Sequence, residues 1–289
     1  MQRRRYQDRA LRGIGAWRGW RCRALRTKEA ASLFDPLYVL SGAVVGMLVG
    51  MTGVGGGSLM TPLLVLAFGF HPVSAVGTDL LFAAGTQSAA TVTHGISRNI
   101  YWRMPALLAT GSLPASVLTI LWLNDMGAHN AASGRIVSVT LGAALVLTAI
   151  VLLFRTQITA YAARRRKTPH PTRTAILTVA MGGAIGVLVS LSSIGAGAIG
   201  TTVLLMLYPE LPVSRIVASD IAHAVPLTLL AGIGHLYLVS INWPLLVALL
   251  IGSLPAVVAG SLASTRVPEQ ALRAILAAVL FVVGARLVV

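Results

Sequence analysis

Two aspartates are placed to do chemistry. The chain has eight carboxylates, and only Asp79 and Asp220 fall inside long apolar stretches, in Gly77-Thr78-Asp79 and Ala218-Ser219-Asp220. A charge at a bilayer centre costs about 2.5–3.5 kcal/mol even on the lenient insertion scale. Protein partners or a wet cavity are expected to offset that cost at both positions. Low-dielectric surroundings disfavour the charged form of a carboxyl, so each acid is a candidate carrier of a coupling proton. The plainer reading is a pair of carboxyls that hold helices together through hydrogen bonds. His223 follows Asp220 by three residues, on the same helix face, and joins the two acids as a candidate proton carrier. His94 and His235 follow the aspartates by fifteen residues, about 22 Å along a helix. That distance is expected to bring them near the opposite membrane face, where water solvates a polar residue.

The second chemical feature is backbone. Gly53-Val54-Gly55-Gly56-Gly57 places four glycines in five residues, with Pro62 beyond, and Ser192, Ser193, Gly195 and Gly197 form a matching break. Each glycine costs a helix about 1 kcal/mol relative to alanine. Irregular backbone at membrane depth is tolerated only where protein or a water-filled cavity buries it. The half-helix that starts after such a break presents free N–H groups and a positive dipole end, which suit an anion. The candidate substrate-binding set is therefore Gly53, Gly55, Gly56, Gly57, Pro62, Ser192, Ser193, Gly195 and Gly197. The hydroxyls of Thr78 and Ser219, beside the aspartates, complete it. Spacing such as Gly46-xxx-Gly50 needs only close helix packing. No Gly-Lys-Ser/Thr follows either break, so neither is the phosphate loop of a soluble nucleotide-binding protein.

The elements that must position these residues are apolar and long. With 56% hydrophobic and 11% charged residues among 289, and a mean hydropathy of +0.80, the composition is that of an integral membrane protein. A bilayer core takes about 20 apolar residues per helix, and stretches of that length recur from Pro36 onward. Backbone groups in lipid are satisfied within the segment, so the fold class is all-α. The series is written twice. At an offset of 140, Gly46, Gly55 and Gly57 fall on Gly186, Gly195 and Gly197. At 141, Asp79 meets Asp220, His94 meets His235, Trp102 meets Trp243, and Gly111–Ala115 matches Gly252–Ala256. His223 meets Phe82, so it cannot serve both halves alike. The predicted organisation is a basic tail at 1–34, a first repeat at 35–155, a basic loop at 156–173 and a second repeat at 174–289. If each broken stretch crosses once, there are about eight transmembrane helices in two parallel four-helix repeats with Gly-broken first helices. If each is two separate crossings, each repeat has five spans and the repeats are inverted. The charges favour eight spans, with tail, loop and both termini cytoplasmic.

Those charges are concentrated. Ten of the 23 basic residues lie between Arg3 and Lys28, and six more between Arg155 and Arg173. Both clusters flank membrane segments, which accounts for the net charge of +15 without nucleic acid; a grip on anionic lipid is compatible with it. The basic start resembles a signal peptide, but no small-residue cleavage site ends the apolar region, so it reads as a retained first span. Cys22 is the only cysteine, and no Cys/His or carboxylate/His spacing suggests a metal.

The run Gly46-Met-Leu-Val-Gly50-Met-Thr-Gly53-Val-Gly55-Gly56-Gly57-Ser-Leu-Met-Thr-Pro62, followed by Ala75–Leu80, resembles the sulfite exporter TauE/SafE family. Ala218–Thr228 and Gly252–Pro255 look like the second half of the same family. The resemblance covers about residues 36–289. It implies an inner-membrane permease moving sulfur-containing anions such as sulfite, thiosulfate or organosulfonates. This sequence departs from the pattern around Gly195, where alanines replace glycines, and at Thr202, which stands where the first half has Pro62. The partners implied are a small anionic substrate and the lipid bilayer. No ATP-binding motif is present and no cofactor is called for, so the energy source is a gradient or a separate subunit. The competing readings are a passive anion channel and an intramembrane aspartyl protease, which requires the two acids within a few ångström of each other.

Overall fold

The computed structural model describes residues 36–52, 57–96, 100–127, 131–164, 171–263 and 269–288. Gly53, Gly55 and Gly56, the tail and residues 165–170 of the basic loop lie outside them. All regular structure among the described residues is helical, in ten helices. The first five are α1 (Pro36–Thr52), α2 (Gly57–Leu66), α3 (Pro72–Ile96), α4 (Arg103–Asp125) and α5 (Ala131–Arg164). The second five are α6 (Pro171–Ser192), α7 (Ala198–Leu207), α8 (Val213–Leu238), α9 (Trp243–Ala263) and α10 (Glu269–Val288). Five of these helices are long and apolar enough to cross a membrane, and the protein is a multi-pass membrane protein. Large apolar side chains such as Leu40, Leu118, Ile176 and Val282 stand exposed on the bundle surface, as a lipid solvent allows.

The half-helices α2 and α7 turn back. Thr201 of α7 meets Asp220 of α8, while Leu204 and Tyr208 cluster with Ile216, so α7 runs antiparallel to α8. The Tyr208 hydroxyl at the end of α7 lies 2.9 Å from the Thr178 hydroxyl near the start of α6. Pro171, at the start of α6, lines the same hollow as Glu210, which follows α7. The break between α6 and α7 therefore reverses the chain, where the sequence reading has the broken stretch cross once. Eight spans in parallel repeats give way to ten helices.

Helix contacts then set the relation of the repeats. A Cβ added at Gly77 of α3 would meet the Cβ of His235 at 2.8 Å, and one at Gly232 of α8 would meet Leu81 Cδ2 at 2.6 Å. Residue numbers rise on one helix as they fall on the other, so the equivalent helices α3 and α8 are antiparallel. The exchange of repeats thus inverts them, the plan of many transporters. It also places the end of α5 at the opposite end of the bundle from Pro36, contrary to the expectation that tail and basic loop share one side. The equivalent Trp102 and Trp243, both exposed, begin α4 and α9 at opposite ends, as aromatic residues at the two membrane interfaces do.

The repeats interlock rather than stand side by side. The α1 helix packs on α9, and its equivalent α6 packs on α4. Both seams rest on glycine. A Cβ at Gly186 would lie 2.9 Å from Ser112 Cα, and one at Gly46 would lie 2.7 Å from Ser253 Cα. Backbones in lipid gain by such close approach, because little hydrophobic force drives helices together there.

Candidate functional site

Each aspartate is held by the half-helix of its own repeat. Asp79 is fully buried; one carboxylate oxygen accepts from the Thr61 hydroxyl of α2 and, at 3.2 Å, from the Thr61 N–H. Asp220 accepts from the Thr201 hydroxyl of α7 at 2.7 Å. Thr61 and Thr201 are equivalent at the offset of 140. Neither is among the sequence candidates, although the offset that aligns the glycines also aligns these threonines. Asp79 Oδ1 and Asp220 Oδ1 are buried without a hydrogen-bond partner. Gly200 lets Asp220 approach: an added Cβ there would lie 2.9 Å from Oδ1 and 3.1 Å from Oδ2.

The described break is built by its own residues. The Ser192 hydroxyl donates to the Leu188 carbonyl at 2.6 Å and accepts from the Ile194 N–H at 3.3 Å, so it ends α6. Ser193 takes φ +58° and Gly195 φ +127°, the left-handed region where glycine is at ease. Gly197 precedes α7, and no side chain caps that helix. The Ser193 hydroxyl is buried, lies near Asp79 and makes no hydrogen bond. The second break thus adjoins the acid of the first repeat. Gly57 opens α2, and Pro62 is buried within it.

Other candidates are already engaged. Thr78 donates to the Ser74 carbonyl at 2.8 Å, and Ser219 donates to the Arg215 carbonyl at 2.8 Å while accepting the Tyr101 N–H at 2.9 Å. The Thr78 hydroxyl bonds within its own helix, while Ser219 also ties the start of the α4 segment in the first repeat to α8 in the second. His223 is buried, but its hydrogen bond runs across to α4: Nε2 lies 2.8 Å from the Ser112 hydroxyl. His235 is a correction. It is fully buried against Gly77, with Nδ1 2.9 Å from the Ala231 carbonyl, not solvated at a membrane face. The α3–α8 crossing covers it, and length along a helix says nothing of such a crossing. The His94 side chain lies outside the described residues.

The two acids do not meet. Asp79 is level with residues 232–235 of α8, about 13 residues and roughly 20 Å from Asp220 along the helix. A two-carboxyl hydrolytic centre needs them within a few ångström. Above Ser219, a hollow of about 270 Å³ opens at the end of the bundle, lined by Tyr101, Arg103, Thr174, Tyr208 and Glu210 among others.

Residues 38–287 match the family described as sulfite exporter TauE/SafE. The chain belongs to that family. The TauE/SafE match spans both repeats, both aspartates and the described break. A probable membrane transporter protein of Bacillus subtilis, YjnA, is 35% identical over 251 residues, 86% of this chain and 98% of that protein. A probable membrane transporter protein of Methanocaldococcus jannaschii, MJ0441, is 26% identical over 87% of this chain and 94% of its own length. No solved structure gives a significant match.

Proposed function

We propose that the protein is a secondary transporter for a small anion, a sulfur-containing oxyanion or organosulfonate such as sulfite, moved together with protons. The observation that carries this reading is a pairing found in both repeats: a ten-residue half-helix against a buried aspartate on the helix that follows. The first turn of a helix favours negative charge. In the second repeat that turn already faces Asp220, across Gly200 and Thr201. An anion brought to the same turn sits beside the carboxylate, and the two negative charges repel. The anion enters when the acid is neutral, so proton and anion are taken up as one neutral set. Arg103 in the hollow supplies positive charge at the approach.

The family and the names of its relatives support transport, and sulfite is the family's named substrate. The test is uptake into vesicles holding the full chain, with labelled sulfite competed by organosulfonates, sulfate and carboxylates. Competition by sulfonates and not by carboxylates is the expected pattern. Accumulation against the anion gradient, driven by an imposed pH gradient, separates a coupled transporter from a passive channel, which only equilibrates.

A further inference from the structure

A line of buried polar groups joins the two aspartates. From Asp220 it passes one turn along α8 to His223, whose Nε2 lies 2.8 Å from the Ser112 hydroxyl. One turn further along α4 is Ser116, which accepts from the Ser190 hydroxyl of α6 at 2.7 Å. Three residues on is Ser193, near Asp79. Asp220, His223, Ser112, Ser116, Ser190, Ser193 and Asp79 are all at least nine-tenths buried. His223 Nδ1, the Ser193 hydroxyl and one oxygen of each aspartate have no hydrogen-bond partner.

We propose that this line is a proton path between the aspartates, and that it exists on one side of the bundle only. It rests on the proton-coupled reading above. The middle of the line is too tight for an anion. It runs in the α4–α6 seam, where a Cβ added at Gly111 would lie 2.8 Å from Gly183 N and one at Gly186 2.9 Å from Ser112 Cα. Hydroxyls in such a seam pass a proton without passing its solvated partner. Neighbours one turn apart on a helix have Cβ atoms about 5–6 Å apart, a gap that a rotating hydroxyl or one bridging water spans.

The relay balances. Neutral Asp79 gives its proton to Ser193, and each serine accepts one proton and donates its own, with Ser190 giving to Ser116 along the hydrogen bond already present. Ser112 gives one to His223 Nε2, and Nδ1–H gives one to the Asp220 carboxylate. Asp79 ends one proton poorer and Asp220 one richer. The other titratable groups nearby are Arg155 of α5, which acts electrostatically on Asp220, and His235, which bonds the Ala231 carbonyl.

The equivalent positions cannot relay. Where the line has His223, Ser112, Ser116, Ser190 and Ser193, the other half has Phe82, Ser253, Val257, Gly50 and Gly53. Phe82 is buried in an apolar cluster, and the buried Ser253 hydroxyl has no partner.

The test uses the full chain in proteoliposomes with an internal pH dye, and labelled sulfite, thiosulfate and methanesulfonate as probes. Ser116→Ala and Ser190→Ala each remove one hydroxyl from the seam and add no bulk. Each is expected to lower probe-linked proton entry at least about tenfold, with labelled-for-unlabelled exchange and detergent-solubilised yield close to the parent's. Parent-like proton entry in both variants overturns the path while leaving coupled transport standing. Parental transport of a probe without protons refutes the coupling, and transport of none refutes the anion reading; in either case the path falls with it. Equal loss of exchange and proton entry in well-folded variants assigns the serines to substrate handling and also overturns it.

Discussion

Asp79 and Asp220 hold matched places in the two repeats yet lie roughly 20 Å apart along the α3–α8 pair, because those helices run antiparallel. Inversion is what separates them. Each acid rests on its own half-helix through an equivalent threonine, Thr61 or Thr201. The inverted repeats thus hold their two pairs of half-helix and aspartate at different levels of the bundle, and only the second has a histidine one turn from its acid.

The reversal at the break fixes which connections share a side. In a Cys22→Ser background, Thr168→Cys and Glu210→Cys are expected to react with an impermeant thiol reagent from the same side of the membrane. Asn242→Cys is expected to react from the other. Labelling of positions 168 and 210 from opposite sides restores the single-crossing, parallel arrangement.

Neutralising either acid should uncouple transport. Asp79→Asn and Asp220→Asn keep a hydrogen-bonding side chain but cannot release a proton. Each is expected to lose pH-driven accumulation while still exchanging labelled for unlabelled substrate. The Asp220 variant is expected to show the larger loss, since His223 lies on its face. Parent-like accumulation ratios in both variants end the coupling reading.

Thr201→Val removes the hydroxyl that donates to one oxygen of Asp220, whose other oxygen already has no hydrogen-bond partner. The expected loss of stability is about 1–3 kcal/mol, the usual cost of orphaning a buried polar group. Thermal unfolding in detergent measures it, and Thr201→Ser, which keeps the hydroxyl, should recover most of it. Equal midpoints for the Val and Ser variants would show that this hydrogen bond does not support the half-helix.

Gly200→Ala sets a methyl 2.9 Å from Asp220 Oδ1, in a helix where alanine is otherwise favoured. Transport is expected to fall several-fold, as α7 and Asp220 are pushed apart, while folded yield changes little. Unchanged uptake kinetics would separate this contact from transport.

Gly195 sits at φ +127° in the turn between α6 and α7. Gly195→Ala is expected to cost about 1–3 kcal/mol of backbone strain, measured by the thermal midpoint. A midpoint within experimental error of the parent would place the turn's reversal elsewhere in the break.

Much was legible in one dimension. Apolar stretches of spanning length, in a chain with only eight carboxylates, require helices in a bilayer, since no other open structure satisfies its backbone there. The register of Asp79 with Asp220, His94 with His235 and Trp102 with Trp243 establishes the duplication, because it depends only on order along the chain. The glycine breaks and the two acids were also readable, as each carries a cost that local propensity or burial makes visible. The direction taken after a break was not readable: glycine permits continuation and reversal alike. Close packing decided it, where α7 returns along α8 and Tyr208 reaches Thr178. The partners of the polar groups were settled the same way. His223 bonds Ser112, and His235 is buried against Gly77, because helices distant in sequence cross at glycine seams, and a crossing leaves no mark in the spacing of either helix.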